Sequence, residues 1–99
     1  MPKLLVKNGE KKGLAFRLTD REVTLGRDAA NTIVLPDRRV SRHHGQILGR
    51  RGTLIYLDLG STNGSNVNGE PVSEVVLGVG DRLEVGDTTL VLEVAEAPD

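Results

Sequence analysis

The sequence predicts a single small all-β domain, built as an antiparallel sandwich or barrel. Apolar and polar residues alternate in short runs, and this is the period of a β-strand. Glycine and Asn-Gly pairs separate the runs, and they supply the positive φ angles of tight hairpin turns. Apolar residues do not recur with helical spacing, so no long helix is expected. A chain of 99 residues can bury one core, and we expect one domain over residues 1–99 with its core at about 4–94.

Ten segments carry the strand pattern, and polar turns separate most of them. In chain order they are residues 3–7, 14–18, 22–25, 32–35, 43–49, 53–58, 66–67, 73–77, 82–85 and 88–94. The turn signals between them are Asn8-Gly9, Asn63-Gly64, Asn68-Gly69 and Gly86-Asp87. Three polar segments are left over, at 26–31, 36–42 and 59–65. Because loops of a sandwich gather at its ends, these segments are the expected place for binding residues.

The alternation also predicts which residues face the core. In the second segment, Leu14, Phe16 and Leu18 share one face of the strand. In the last segment, every second residue from Leu90 to Val94 is expected to point inward. Val, Ile and Leu together number 29, against one Phe and one Tyr. The core is therefore expected to be aliphatic.

The composition argues against several classes of function. Aromatic residues make up 2% of the chain, so a nucleic-acid site built on stacked rings is not expected. The chain has no Cys, which excludes a disulfide framework and a thiolate metal site. The longest apolar runs, such as residues 54–57, have four residues, and a membrane span needs about 20. We therefore expect a cytoplasmic protein without a membrane or nucleic-acid partner, and the residue usage favours a bacterial source.

The formal net charge of −1 hides an uneven distribution. Residues 38–69 carry five arginines against one acid, Asp58, whereas residues 70–99 carry eight acids against Arg82. An anionic ligand is therefore expected to meet the middle of the chain. The same arginines would also keep a β protein soluble, so charge alone leaves both interpretations open.

The pair Gly26-Arg27 closes the third segment. Glycine allows a sharp turn there, and the guanidinium offers a rigid fork of donors suited to phosphate or carboxylate. Taken alone, the pair fits an ordinary surface arginine equally well.

The run Ser41-Arg42-His43-His44 permits three interpretations. A serine nucleophile with a histidine base would need an orienting third residue and an oxyanion hole, and no nucleophile-elbow sequence surrounds Ser41. A metal would need both histidines, but adjacent strand residues point to opposite faces. In the third interpretation, His44 is buried and hydrogen-bonded to backbone, and it fixes the preceding loop. We expect no catalysis, no metal site and no cofactor.

The loop 59–65 carries short hydroxyl and amide side chains. It lacks the Gly-Lys-Ser/Thr end of a P-loop, and no helix follows it as a dinucleotide fingerprint requires. It also fits a self-capped turn, with Asn63 in the left-handed region and the hydroxyls bonded to local amides.

Together, the three motifs resemble the forkhead-associated (FHA) domain family. Gly26-Arg27, then Ser41-x-x-His44, then Gly-Ser-Thr-Asn-Gly-Ser-x-Val-Asn-Gly at 60–69 follow the family's order and spacing. The resemblance runs from about Val6 to Val94. It implies an antiparallel β-sandwich of about eleven strands with its termini near one another. It also implies a non-catalytic module that binds phosphothreonine peptides through loops at the opposite end.

The resemblance assigns a role to each matching residue. Arg27 matches the arginine that pairs with the phosphate, and Ser41 matches the serine that donates to a phosphate oxygen. Arg42 falls where the family often places a further side chain on the phosphate. Thr62 falls where the next loop completes the phosphate site, and Asn63 where an amide holds the peptide backbone.

Other matching positions shape loops or adjust specificity. Gly26, His44 and Gly64 match loop-shaping positions rather than ligand contacts. Arg38 and Arg39 lie just before Ser41, and we expect Arg39 in particular to favour Asp or Glu after the phosphothreonine. The alternative for this pair is two solvated arginines.

The resemblance implies a partner protein that a Ser/Thr kinase has phosphorylated on threonine. We expect this chain to bind that partner as a monomer, in signalling. Two other hypotheses remain at this point. One is a structural or oligomerising FHA-like domain that uses a sheet face and ignores phosphate. The other is nucleic-acid binding through the arginines of the middle segment, which lacks aromatic platforms.

Overall fold

The computed structural model describes residues 2–18 and 22–94 and contains eleven strands. The predicted domain, residues 1–99, also includes residues 1, 19–21 and 95–99, which lie outside the described residues. The strands are β1 (Pro2–Val6), β2 (Ala15–Arg17), β3 (Val23–Gly26), β4 (Ile33–Val34), β5 (Gly45–Arg50), β6 (Thr53–Asp58), β7 (Ser65–Val67), β8 (Glu70–Val72), β9 (Glu74–Leu77), β10 (Arg82–Val85) and β11 (Thr88–Val94). The predicted all-β class and the strand number implied by the resemblance are confirmed.

The strands form two sheets. The six-stranded sheet has the order β2-β1-β11-β10-β7-β8, and the five-stranded sheet has the order β4-β3-β5-β6-β9. All pairs are antiparallel except β3 and β4, which run parallel at one edge of the five-stranded sheet. The loop after β3 folds back alongside it, since Thr24 and Thr32 exchange backbone-to-hydroxyl hydrogen bonds of 3.2 and 3.0 Å. The chain then restarts in the same direction as β3.

One strand escaped prediction, and one begins later than expected. β8 was missed because Pro71 cannot donate to a ladder, but β8 is an edge strand, where proline is tolerated. β8 follows β7 through the turn at Asn68 and Gly69, whose φ angles are 53° and 84°, as the Asn-Gly signal predicts. β5 begins at Gly45 rather than at residue 43, because His44 belongs to the preceding loop.

Two residues predicted to face the core are exposed. Leu14 is 46% exposed and precedes β2, in a turn where its amide donates to the Lys11 carbonyl. Val94 is 56% exposed and pairs with Pro2 at the far end of the sheet, beyond the core. Phe16 and Leu18 do turn inward, half-buried and buried respectively.

The core lies between the inner faces of the two sheets and is aliphatic apart from Tyr56. Its fully buried large side chains include Leu4, Leu25, Ile47 and Leu90. Burying each such side chain contributes roughly 1.5–3 kcal/mol. The aliphatic composition of the core is as expected from the sequence.

The polar loops and the described chain ends lie at opposite ends of the sandwich. Pro2 pairs with Val94 at one end of the six-stranded sheet. At the other end, β7 and β10 pair through Ser65 and Val85, and the loops after β3 and β6 leave from the same side. Within residues 2–18 and 22–94, the chain has no helix long and apolar enough to cross a membrane.

Candidate functional site

Three loops meet at the end of the sandwich away from Pro2 and Val94. They are the β3–β4 loop (27–32), the β4–β5 loop (35–44) and the β6–β7 loop (59–64), and together we call them the loop site. The three polar segments predicted from the sequence fall in these loops. Hydrogen bonds between residues 11 to 24 positions apart tie the loops to one another.

Gly26 allows the first two loops to touch. A Cβ atom placed on Gly26 would lie 2.2 Å from the Arg42 carbonyl oxygen and 2.7 Å from Asn31 Nδ2. No side chain fits at such distances, so the backbone approach itself requires glycine. A side chain at position 26 would displace the Arg42 carbonyl; the loop-shaping role of Gly26 remains a prediction.

Arg27 stands directly beside the segment that carries Ser41. Its amide donates to the Ser41 carbonyl over 3.0 Å, and the Asp28 amide donates to the Arg42 carbonyl over 3.2 Å. These bonds place the side chains of Arg27, Ser41 and Arg42 on two neighbouring stretches of backbone. The side chains of Arg27 and Arg42 are exposed. The backbone geometry thus brings together three of the residues predicted to bind phosphate.

Asn31 joins the β3–β4 loop to the β4–β5 loop through its side chain. The sequence did not predict this role. The residue is buried, and its amide nitrogen donates to the Asp28 carbonyl over 2.8 Å and to the Arg42 carbonyl over 2.7 Å. Asp28 Oδ1 in turn accepts from the Ala30 amide over 2.8 Å, which caps the turn. The only sequence signal was an asparagine within a polar loop, which does not name its distant acceptor.

Ser41 connects the second loop to the third. Its Oγ accepts a hydrogen bond of 3.0 Å from the Thr62 amide. A serine oxygen that accepts from an amide keeps its own O–H for a further acceptor. Thr62 is exposed and Ser41 is half-buried, and the bond between them joins the second and third loops of the loop site.

His44 is fully buried and bonded to backbone on both sides, as the third interpretation of its motif predicts. Its Nδ1 accepts from the Ser41 amide over 3.0 Å, and its Nε2 lies 2.8 Å from the Gly64 carbonyl oxygen. Because a carbonyl only accepts, the proton belongs on Nε2, which fixes the neutral tautomer. His44 therefore cannot serve Ser41 as a base. His43 is exposed, so the two histidines do not point to one metal.

Asn63 acts differently from the self-capped turn considered above. Its φ angle is not positive, whereas that of Gly64 is 76°, because glycine carries the left-handed conformation at lower cost. The side-chain nitrogen Nδ2 of Asn63 instead donates to the Arg39 carbonyl over 2.9 Å. Asn63 thus already bridges the second and third loops. Its predicted role in holding a peptide backbone remains a prediction.

A hydroxyl network beneath the third loop also escaped prediction. Asp58 accepts from the Ser61 amide over 2.8 Å, and from the hydroxyls of Ser61 and Ser65 over 2.6 Å each. Tyr56 donates to the Ser65 hydroxyl over 2.6 Å, and burial raises the pKa of the Tyr56 phenol. Partial burial also acts to raise the pKa of Asp58. The hydrogen bonds from Ser61 and Ser65 lower this pKa by more than burial raises it, so it lies below its usual value.

Asp37 holds the second loop against the β10–β11 turn. Asp37 accepts from the Arg39 amide over 2.8 Å, the Asp87 amide over 2.8 Å and the Thr88 hydroxyl over 2.7 Å. Burial acts to raise the pKa of Asp37, but these hydrogen bonds outweigh it and the pKa is lowered. The turn itself passes close, since a Cβ on Gly86 would lie 2.9 Å from the Arg39 carbonyl carbon.

Arg39 points toward the same turn. Its Nε lies 3.8 Å from Asp87 Oδ1, and both side chains are largely exposed. Such a pair contributes at most about 1 kcal/mol, so an acidic group on a ligand can compete with Asp87. The predicted role of Arg39 in peptide specificity remains a prediction.

The loop site presents cationic and hydroxyl donors around Ser41. Arg27 and Arg42 are exposed and lie on backbone next to Ser41, since the Arg27 amide donates to the Ser41 carbonyl and Arg42 follows Ser41 in the chain. The Thr62 amide of the third loop donates to Ser41 Oγ. Among residues 2–18 and 22–94, no group of three or more His, Asp or Glu side chains could hold a metal ion. The arrangement suits an anion with several acceptor oxygens.

Comparisons with known proteins agree with this description. The family model for "Inner membrane component of T3SS, cytoplasmic domain", itself an FHA-like domain, matches residues 5–96. The oxoglutarate dehydrogenase inhibitor of Corynebacterium efficiens is 39% identical over 88 residues, which cover 89% of this chain and 62% of that protein. The chain therefore spans less than two thirds of this curated relative. The expected bacterial affiliation is supported.

Solved structures share the whole fold. A structure described as "Structural and functional analysis of phosphothreonine-dependent FHA domain interactions" has a TM-score of 0.89 and 30% identity, covering 97% of this chain and 98% of that one. The FhaA FHA domain, solved in complex with the intracellular domain of Rv3910, is 31% identical with a TM-score of 0.88, covering 94% of this chain and 100% of that one. On fold and sequence together, the chain belongs to the FHA domain family.

Proposed function

We propose that this domain binds phosphothreonine-containing protein segments and thereby mediates phosphorylation-dependent association. The observation that carries the proposal is the set of donors around Ser41, which three loops hold in place through hydrogen bonds. The resemblance of the three motifs, and a structural neighbour described by its phosphothreonine-dependent interactions, support it. We propose that one chain, spanning residues 1–99, forms the complete recognition unit, because all of the site residues come from it.

The phosphate would lie over Ser41, between the two arginines. A phosphate monoester carries about −1.5 to −2 charges near pH 7 and offers three acceptor oxygens. Arg27 and Arg42 would supply charge-assisted donors, and Ser41 and Thr62 would supply hydroxyl donors. Each hydrogen bond to a charged group contributes roughly 1.5–3 kcal/mol. Asn63 would hold the peptide backbone next to the phosphothreonine. Its side-chain amide would use the oxygen and the second N–H, because the first N–H contacts the Arg39 carbonyl.

The ligand's source follows from its chemistry. A phosphothreonine is the product of a Ser/Thr kinase, so we propose a kinase substrate as the partner and the cytoplasm as the place of binding. The domain itself would bind without catalysis, since the backbone occupies both ring nitrogens of His44. Arg39 would favour an acidic residue after the phosphothreonine by exchanging its contact with Asp87 for one with the peptide.

The first prediction concerns Arg27 and Ser41. In a fluorescence-polarisation titration against phosphothreonine peptides selected from a degenerate library, Arg27→Ala should weaken binding at least tenfold, because a lost charge-assisted bond of about 1.4 kcal/mol is one decade. Ser41→Ala should also weaken binding. Arg17→Ala, which removes an exposed arginine on β2, should leave it unchanged.

Matched peptides complete the test. Unphosphorylated, phosphoserine and phosphotyrosine versions of the selected peptide should bind more weakly than the phosphothreonine form. If folded Arg27→Ala and Ser41→Ala proteins bind as tightly as wild type, the site is wrongly assigned. A library preference for Asp or Glu that disappears in Arg39→Ala would support the role of Arg39, and a preference that persists would remove it.

A further inference from the structure

The outer face of the five-stranded sheet carries an apolar patch that the loop site does not use. Every second residue of β6 points away from the core, and Ile55 and Leu57 are two of these. Ile55 pairs with Leu48 on β5 and with Val76 on β9. Leu48, Ile55, Leu57 and Val76 therefore lie side by side, and we call them the outer patch. Val76 is 60% exposed.

The outer patch departs from the usual pattern of an antiparallel sheet, whose solvent face is polar. The apolar run 54–57 reads as a strand that is covered on both faces. Leu54 and Tyr56 occupy the core, whereas Ile55 and Leu57 face outward. Val76 is exposed, and Leu48, Ile55 and Leu57 are half-buried, so the outer patch offers neighbouring apolar side chains to a partner.

Two opposite charges frame the outer patch at diagonal corners. Glu74 on β9 pairs with Leu57, and Arg50 on β5 pairs with Thr53. Ile55 lies midway between them, one strand and two residues from each. Standard strand spacings place Glu74 and Arg50 about 17 Å apart across the outer patch. Within the described residues, neither side chain forms a salt bridge.

Glu74 and Arg50 carry opposite charges and lie at equal distances from Ile55, and this arrangement points to a second copy of the chain. Two copies can pack face to face about a two-fold axis that lies between their sheets and passes over Ile55. If this axis is perpendicular to the line from Glu74 to Arg50, Glu74 of each copy lies over Arg50 of the other. Such an interface is isologous, so each charge pair occurs twice. The net charge of −1 adds little repulsion between copies. We propose that the outer patch forms a weak, two-fold symmetric homodimer through Ile55 and the Glu74–Arg50 pairs.

The proposed dimer leaves the loop site open in both copies. The outer patch lies on the face formed by β5, β6 and β9, whereas the loop site occupies one end of the sandwich. Dimerisation therefore does not depend on phosphothreonine binding. The monomer expected from the sequence is the alternative that the experiment below distinguishes from this dimer.

A charge-swap series tests the proposal by sedimentation equilibrium up to protein concentrations on the order of 1 mM, where associations of about −4 kcal/mol become visible. Wild type should show a monomer–dimer equilibrium. Glu74→Arg and Arg50→Glu should each weaken it roughly tenfold, because two attractive pairs become repulsive. The double variant Glu74→Arg/Arg50→Glu should return to within about threefold of wild type, since the pairs re-form with reversed sign.

The controls separate this interface from other associations. The exposed charge variants should keep the wild-type circular dichroism spectrum, so a loss of dimer reports on the interface. Val76→Lys should also weaken the dimer by placing a charge in the outer patch. Purely monomeric wild type at about 1 mM would overturn the proposal, as would a double variant no better than either single one.

Discussion

At the scale of single residues, Gly26 occupies a position where the surrounding backbone leaves no room for a side chain. The Arg42 carbonyl and the Asn31 amide fill the space that any side chain at position 26 would need. That carbonyl also receives the Asp28 amide. Displacing it would therefore move the segment that carries Ser41.

The second prediction compares two glycines. Gly26→Ala should lower the free energy of unfolding by about 2 kcal/mol or more, because its Cβ overlaps backbone that cannot move without breaking hydrogen bonds. Gly78→Ala is the matched control, since its Cβ would meet only Asp81 Oδ2 at an ordinary 3.6 Å. Urea denaturation measures both. Equal destabilisation by the two substitutions would contradict the steric role of Gly26.

The residues that sequence reasoning found and missed differ in the range of their contacts. Arg27, Ser41 and His44 were found because each belongs to a short motif. Asp37 was missed because its partner Thr88 lies 51 residues away, and Asn31 because its acceptor is a backbone carbonyl. A polar residue in a loop reveals nothing about such partners until the fold brings them together.

At the scale of elements, the β4–β5 loop is held at several points along its length. Asp37 ties its start to the β10–β11 turn, Asn63 holds the Arg39 carbonyl, and His44 holds the Ser41 amide. Each of these bonds fixes backbone next to a predicted ligand residue. The loop therefore depends on its own His44 and on two other regions of the chain, the β10–β11 turn and the β6–β7 loop.

The third prediction tests the anchor at Asp37. Asp37→Ala should reduce stability by about 1–3 kcal/mol and also weaken phosphopeptide binding several-fold, because the segment before Ser41 gains freedom. Asp81→Ala is the matched control: Asp81 accepts two hydrogen bonds, from the Gly78 amide and Asn68 Nδ2, where Asp37 accepts three, and it lies at the other end of the sandwich. It should cost similar stability without changing peptide affinity. Loss of affinity in both variants would indicate a general effect of destabilisation.

The elements themselves were largely predictable because alternation and turn residues are local. Ten of the eleven strands were anticipated, and the missing one contains Pro71, which argues against a strand unless its edge position is known. The parallel pairing of β3 and β4 could not be predicted, since it depends on Thr24 meeting Thr32 across a folded loop. The outer patch needed the sheet order before its four members could be seen as neighbours.

At the scale of the whole molecule, acid sensitivity is set by carboxylates that accept hydrogen bonds in the folded state. The pKa values of Asp37, Asp58 and Asp81 all lie below the usual 3.8. A lowered folded-state pKa contributes stability that is present above the unfolded value and lost as the pH falls through the folded one.

The fourth prediction follows from that sign. The free energy of unfolding should stay nearly level from neutral pH to about pH 5 and fall steeply below about pH 4. Asp58→Asn should flatten this fall, because the side chain no longer takes up a proton on unfolding. Urea denaturation at several pH values gives the slope. A slope as steep in Asp58→Asn as in wild type would show that Asp58 does not contribute.

The cross-links between the three loops have a consequence for the thermodynamics of recognition. Because hydrogen bonds from Thr62 to Ser41, from Asn63 to the Arg39 carbonyl and from His44 to the Gly64 carbonyl join the second and third loops, most of the ordering of this surface accompanies folding. Association then orders mainly the incoming peptide and a few exposed side chains. Such preorganisation lets a small, shallow set of donors discriminate by charge, with little rearrangement of the protein backbone.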